Sequence, residues 1–358
     1  MGGAGRVSGP QLADAAAVLA LFALTAYALL GGADFGGGVW DLFASGPRAL
    51  EQRAAIARAM GPVWEANHVW LIFLVVLLFT AFPPAFAALV IGLFLPLHLV
   101  LLGVVLRGAS FVFRAHGALS GPRAPLQRTF GAAFGAASAV TPVLLGAALA
   151  AISSGGVRSP RGSLVAPPLA SWLTPFAIAT GLLTLALCAY LAAVYLTLET
   201  QGRLRADFRR KAISAGVALL VLAIADLPLM AAWAPRLYSR LASPSAAPLL
   251  AGGTALAVWS IAAVWRSRFE VGRVLSALSG IALLWGWGFA QWPFVIYPDF
   301  SIARSAAPNP ALRDVFYAVG VGALLLGPSL YLLFRVFKGR NPAAGRPPRP
   351  RPHPRPAR

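Results

Sequence analysis

The sequence predicts an all-α polytopic membrane protein with nine transmembrane helices. Two features of composition predict it: of 358 residues 58% are hydrophobic and only 11% charged, with mean hydropathy +0.73. A soluble globular chain carries about a quarter charged residues. The third observation is spacing. A bilayer core about 30 Å thick is crossed by roughly 20 apolar residues of helix, and runs of that kind lie near 12–31, 63–82, 85–106, 129–151, 172–197, 212–232, 247–265, 274–293 and 314–336. Barrel strands would alternate with period two over about ten residues, whereas these runs are apolar all round.

The first run continues into Tyr27 and Leu29 with no small-residue cleavage pattern, so it reads as a retained helix rather than a signal peptide. The second opens on GPVWEANHVW and turns at Phe82-Pro83-Pro84 into the third, which makes an antiparallel hairpin. The fifth holds Cys188, the sole cysteine, which excludes internal disulfides, iron–sulfur clusters and cysteine-based zinc sites. The sixth holds Asp226 just before Pro228. Residues 1–11 form a short N-terminus, 12–337 the membrane domain, and 338–358 a Pro- and Arg-rich tail that cannot form a core and is expected to be disordered. A lipid-surface role and recognition as a polyproline segment are both open for that tail.

Cytoplasmic loops of membrane proteins retain an excess of Lys and Arg. Of the 30 basic residues, 23 fall in 32–62, 107–128, 198–211, 266–273 and 335–358, and 7 on the alternate side. The N-terminus is therefore expected outside and the C-terminus in the cytoplasm, as an odd number of spans requires. The net charge of +19 lies mostly on the inner face, where anionic lipid attracts it. Nucleic acid is not the implied partner.

With that orientation three successive helices bring ionisable groups to the cytoplasmic side. Asp34 and Asp41 end the first span, Glu65 and His68 begin the second, and Arg107 and Arg114 end the third. Glu65 and His68, three apart, share a helix face. Counted from the turn, Glu65 and Arg107 differ in depth by about five residues, roughly 7–8 Å, which a long Arg side chain nearly closes. A membrane carboxylate is costly unless paired and commonly marks an ion or proton path. Glu65 thus has two open roles, a structural ion pair and proton handling.

GGADFGGG lacks the G-x-G-x-x-G spacing and a preceding strand, so its glycines are read as close helix approaches rather than a phosphate loop. His98, midway along the third span, counts level with His68, so haem ligation by the pair and a hydrogen bond to a neighbouring helix both stand. Asp226 either bonds a neighbouring helix or lines a polar path.

The stretches GGADFGGGVWDL, GPVWEANHVWLI, AFPPAFAAL, LPLHLVLLGVVLRGASFVFR, YLTLETQGRLRADFRRKA and GFAQWPFVIYPD resemble subunit II of the cytochrome bd-type quinol oxidases. They do so in order, over about residues 15–335. The resemblance implies two four-helix bundles, helices 1–4 (about 12–151) and 5–8 (about 172–293), plus a peripheral helix 9 (about 314–336). It implies a subunit of the bacterial cytoplasmic membrane, inactive alone. Its complex would oxidise quinol and reduce oxygen to water, taking protons from the cytoplasm and so generating proton-motive force. Two b-type haems, one d-type haem and the quinol site would lie in subunit I. This chain would bind no haem, with room for a structural quinone or lipid; the partners implied are subunit I, quinol, membrane lipids and at most a small accessory subunit.

Carried onto this sequence, the resemblance makes Glu65 a proton relay, Arg107 its electrostatic tuner and Asp34 an entry group. Trp64, Asn67, Trp70 and Gly36 would pack and shape the site. Gly31 stands where many members have a second acid, and His68 where several have Gln; an imidazole, titrating near about pH 6.5 unperturbed, is itself a candidate relay. Two other readings remain: a divergent redox or scaffold subunit without oxygen chemistry, and an ion or solute transporter. Inverted repeats and broken helices would favour the transporter, and no clear internal repeat is visible.

Overall fold

Proline sets where these apolar runs start and break. Pro83, Pro175, Pro235 and Pro248 stand at the first or second position of their helices, where an absent N–H leaves no bond unmade. In the computed structural model the chain is described over residues 9–60, 64–117, 124–158, 171–244 and 246–338; the side chains of 9–10, 64–66, 115–117, 124–128, 330, 333–334 and 336–338 fall outside that description. The expected tail beyond residue 338 and the loop at 159–170 also lie outside the described residues.

The helices are α1 (Gly9–Leu42), α2 (Ala49–Met60), α3 (Trp64–Ala81), α4 (Pro83–Gly92), α5 (Phe94–Gly117), α6 (Ala124–Ser154) and α7 (Pro175–Glu199). They continue as α8 (Gly202–Trp233), α9 (Pro235–Leu241), α10 (Ala247–Trp265), α11 (Phe269–Gln291), the short α12 (Ile302–Ser305) and α13 (Asn309–Lys338). Strands β1 (Phe294–Ile296) and β2 (Phe300–Ser301) pair antiparallel between α11 and α12. Among the described residues, eight helices are long and apolar enough to cross a membrane; Asn67–Ala81 and Pro83–Gly92 are shorter apolar helices.

Two expectations are corrected. The third span is not one helix over 85–106 but α4 and α5, broken at Leu93. Pro96 has no N–H to give the carbonyl four residues back, at Gly92, and its ring crowds that carbonyl. The segment 32–62 is not a plain connection, since α1 runs on to Leu42 and α2 fills most of the rest. The all-α class holds, with the short β1–β2 ribbon as its one addition among the described residues.

The chain divides into two compact units, Met1–Val315 and Phe316–Arg358. The second is described through the later part of α13, where Tyr317, Leu324 and Leu325 are exposed. In the first, α7 is buried along most of its length and packs against α1, α6, α8 and α11. Helix α1 packs against α3, α6, α7 and α11, with α5 against α6 and α10 against α8 and α11. One chain of buried hydroxyls runs across helices, giving each a partner in low-dielectric surroundings. Tyr190 donates to Ser260 Oγ at 2.6 Å, and Ser260 donates to the Gly272 carbonyl at 2.7 Å, linking α7, α10 and α11.

Candidate functional site

Asp34 and Asp41 are seven residues apart on α1, and Arg107 and Arg114 seven apart on α5. Seven residues are close to two turns, so each pair shares a face and the two helices meet as two rungs. At one rung Arg114 Nη1 and Nη2 donate to Asp41 Oδ2 and Oδ1 at 2.7 and 3.0 Å. At the other, Arg107 interacts electrostatically with Asp34 and Tyr27. Phe134 of α6 lies between the rungs, its ring 5.3 Å from each guanidinium carbon, and Phe35 lies 5.1 Å from Arg107. These aromatic faces favour a cation where water is scarce.

Arg107 is only 3% exposed, and its Nε finds no hydrogen-bond partner among the described residues. Asp34, also buried, accepts from Asn67 Nδ2 at 2.8 Å; the same amide reaches the Leu30 carbonyl at 3.4 Å. The Asn67–Asp34 hydrogen bond ties α3 to α1, and the Arg107 guanidinium of α5 stands within electrostatic reach of the same carboxylate. His68 stands edge-on to Tyr27 and Phe35, with ring centroids 6.0 and 6.1 Å away. Trp70 packs edge-on against Phe22 and Phe73.

The glycines act as the sequence suggests. A Cβ on Gly36 would fall 1.9 Å from the Cys188 carbonyl oxygen of α7, and one on Gly38 would fall 2.0 Å from Ser138 Oγ of α6. Only hydrogen at those positions lets the helices carrying the carboxylates close on their neighbours.

Of the predicted site residues, the structure brings Asp34, Asn67, His68 and Arg107 into one neighbourhood, with Trp70 and Gly36 packed around it. Glu65 and Trp64 are in the first turn of α3, with side chains outside the description. His98 is elsewhere. It is not midway along one helix but the fifth residue of α5, beyond the break at Leu93, so the level count with His68 does not hold along a straight span. Its ring is exposed and contacts Phe94, while that of His68 contacts Tyr27 and Phe35.

Two features went unread in the sequence. Asp207, in the first turns of α8, accepts from Arg48 Nε and Nη2 at 2.7 Å each, from Gln52 at 3.3 Å and from Arg210 at 3.0 Å, while Lys211 donates to Gln52 at 2.8 Å. The carboxylate hydrogen bond pushes the Arg48 guanidinium above its ordinary pKa. This network fastens α2 and its leading loop to α8; a single acid within the basic run RLRADFRRKA was the available signal. The second feature is a cavity of about 240 Å³ lined by α1, α6, α7, α8 and α11. Its walls are mainly apolar, with Tyr27 and Cys188 on one part and Asp226 on another. Thr180 Oγ1 donates to Asp226 at 3.2 Å, and the Tyr27 hydroxyl finds no partner among the described residues. Asp226 therefore bonds a neighbouring helix, the first of its two expected roles, and stands in the wall of this mainly apolar cavity.

Fold and site together define an integral membrane protein whose long helices bury paired acids and arginines inside the bundle. The comparisons make the class specific. The family model of cytochrome bd terminal oxidase subunit II matches residues 12–337. The putative cytochrome bd menaquinol oxidase subunit II of Bacillus subtilis (strain 168) is 24% identical, over 87% of this chain and 91% of its own length. The cytochrome bd ubiquinol oxidase subunit 2 of the same strain is 30% identical, over 59% of this chain and 61% of its own. The solved structure of bd oxidase from Geobacillus thermodenitrificans superposes with a TM-score of 0.76 at 21% identity, covering 91% of this chain and 98% of that one, which shows the shared fold.

The chain belongs to the cytochrome bd terminal oxidase subunit II family. It is subunit II of a bd-type quinol oxidase, an oxidoreductase complex in which subunit I is its partner.

Proposed function

We propose that this subunit carries protons from the cytoplasm toward the oxygen-reducing haem of subunit I, with Glu65 as relay, Asp34 as entry group and Arg107 as the charge that tunes both. The observation that carries this reading is the buried Asp34–Asn67 hydrogen bond beside Arg107. A carboxylate so placed inside a membrane bundle is costly to retain for packing alone. Reducing oxygen to water consumes protons, and drawing them from one side while quinol releases its own on the other builds proton-motive force. His68, on the face of α3 one turn from Glu65, is a second relay. Asp41 and Arg114, bonded to one another, form the outer rung through which the path opens.

In this reading two b-type haems and one d-type haem reside in subunit I and none in this chain. The relatives named for menaquinol and ubiquinol place the substrate in the quinol class. The apolar cavity beside Asp226 suits a structural quinone or lipid chain, and a mild organic extract of the purified complex is expected to yield one retained through lipid exchange. A reduced-minus-oxidised visible spectrum of the complex tests the oxidase assignment directly. A d-type band is expected; b-type bands alone would favour a divergent subunit without oxygen chemistry.

The proposed topology has nine crossings, counting α3 as one and α4 with α5 as another, in two four-helix bundles with α13 peripheral. The N-terminus lies outside and the C-terminus in the cytoplasm of a bacterial inner membrane. Gln201, exposed between α7 and α8, then faces the cytoplasm, and Ser163 faces outward. In intact cells an impermeant thiol reagent should label Ser163→Cys and spare Gln201→Cys. Native Cys188 is buried and adds little background. Labelling of Gln201→Cys alone would invert the topology.

A further inference from the structure

Helix α5 turns a stripe of large apolar side chains outward, with Phe94, Leu95, Leu101 and Leu102 exposed by 57, 41, 61 and 52%. These four stand three and four residues on either side of His98, which is itself exposed. Neighbours at those spacings share one helix face, so an imidazole occupies the centre of a patch otherwise suited to hydrocarbon. His98 precedes Arg107 by nine residues, about 13 Å along the helix axis, which places the ring well inside the apolar span rather than at its charged end.

The ring is held in one orientation. It lies against Phe94 at an interplanar tilt of 36° with centroids 3.9 Å apart, and Nδ1 lies 2.7 Å from the Phe94 carbonyl oxygen. A carbonyl only accepts, so Nδ1 carries the proton and donates it. In the neutral imidazole Nε2 is then a bare acceptor. An unmatched acceptor is costly in hydrocarbon, and acyl chains offer no donor to meet it. Imidazoles in membrane helices usually meet a neighbouring helix.

We infer that His98 is a specificity-determining contact with subunit I, its Nε2 accepting a hydrogen bond from a hydroxyl, indole or amide donor on a partner helix that covers the α5 stripe. The inference rests on this chain being subunit II of a complex. It names subunit I as the occupant because a protein helix supplies both the apolar cover for the four flanking side chains and the donor that lipid lacks.

The test is affinity capture through this chain from solubilised membranes, scoring subunit I retained at rising detergent for the parent, His98→Leu and His98→Gln. Leu keeps the apolar contact and deletes the acceptor; Gln restores an acceptor oxygen. A single interhelical hydrogen bond in a membrane corresponds to about threefold to fifteenfold in an equilibrium constant. His98→Leu is expected to increase dissociation by about that factor, with His98→Gln within about twofold of the parent. Equal retention in all three, or equal loss in both substitutions, overturns the acceptor role while the assignment to subunit II stands. A parent that captures no subunit I overturns that assignment as well. A changed haem spectrum in His98→Leu with subunit I retained would make Nε2 an iron ligand and end the hydrogen-bond reading.

Discussion

Glu65→Gln should leave the complex assembled with its full haem content and lower quinol-driven oxygen uptake by at least about tenfold. Glutamine keeps the shape and most of the hydrogen bonding of glutamate and cannot carry a proton. A positioned proton transfer contributes about a hundredfold or more to rate, and His68, as a parallel relay, would conceal part of that loss. A purely structural ion pair with Arg107 gives a different outcome. Leaving one member of a buried pair unmatched destabilises by about 3–5 kcal/mol, so assembly would fail before turnover could be measured. Glu65→Asp, which retains a titratable group one methylene short, should keep partial activity. The measurement is oxygen uptake against pH at equal haem content, and full activity in Glu65→Gln would move the relay to His68 or to subunit I.

Gly36→Val should abolish recovery of the assembled complex. The first added carbon would sit 1.9 Å from a backbone oxygen of α7, and 2.7 Å from the Ala192 side chain. Contacts that short are relieved only by moving α1 or α7, because a backbone carbonyl cannot swing aside as a side-chain tip does. Overpacking a close-packed interior typically costs about 1–3 kcal/mol even when side chains absorb it, and here they cannot. The control is Gly252→Ala in α10, where an added carbon meets nothing within 4 Å. It should be recovered at parental yield and melt no lower, since alanine favours helix over glycine by about 1 kcal/mol. Parental yield of Gly36→Val would show that the α1–α7 approach is not required.

Much of this was legible in the sequence because membrane helices announce themselves by length and composition. The apolar runs, the small residues at Gly36 and Gly38, and the acids and arginines at their ends are local patterns. Pairing is not local. Asp207 and Arg48 are 159 residues apart, and Asp226 and Thr180 46 apart, so neither contact has a spacing to betray it. Helix α2 is short, and its apolar side faces the bundle while Arg53 and Arg58 interrupt the run, which makes it look like a connection. The break at Leu93 escaped because hydropathy sums over a window and is blind to one missing N–H; Pro96 was the local sign. The count that set His98 level with His68 assumed one unbroken helix, which the break at Leu93 removes.

The packing of α1 carries a consequence for the order in which the molecule is made. Its neighbours include α3 and α6, which follow soon after it, but also α7 and α11. Domains emerge and fold from the N-terminus during synthesis, so the helix that carries Asp34 and Asp41 enters the membrane first and completes its contacts only when α11 arrives. Until α7 arrives Gly36 faces an empty slot, although Asp34 and Asp41 already have their partners on α3 and α5. Premature release of a nascent chain between α6 and α7 would therefore leave the glycine face of α1 without its final cover, a natural mark for quality control to read.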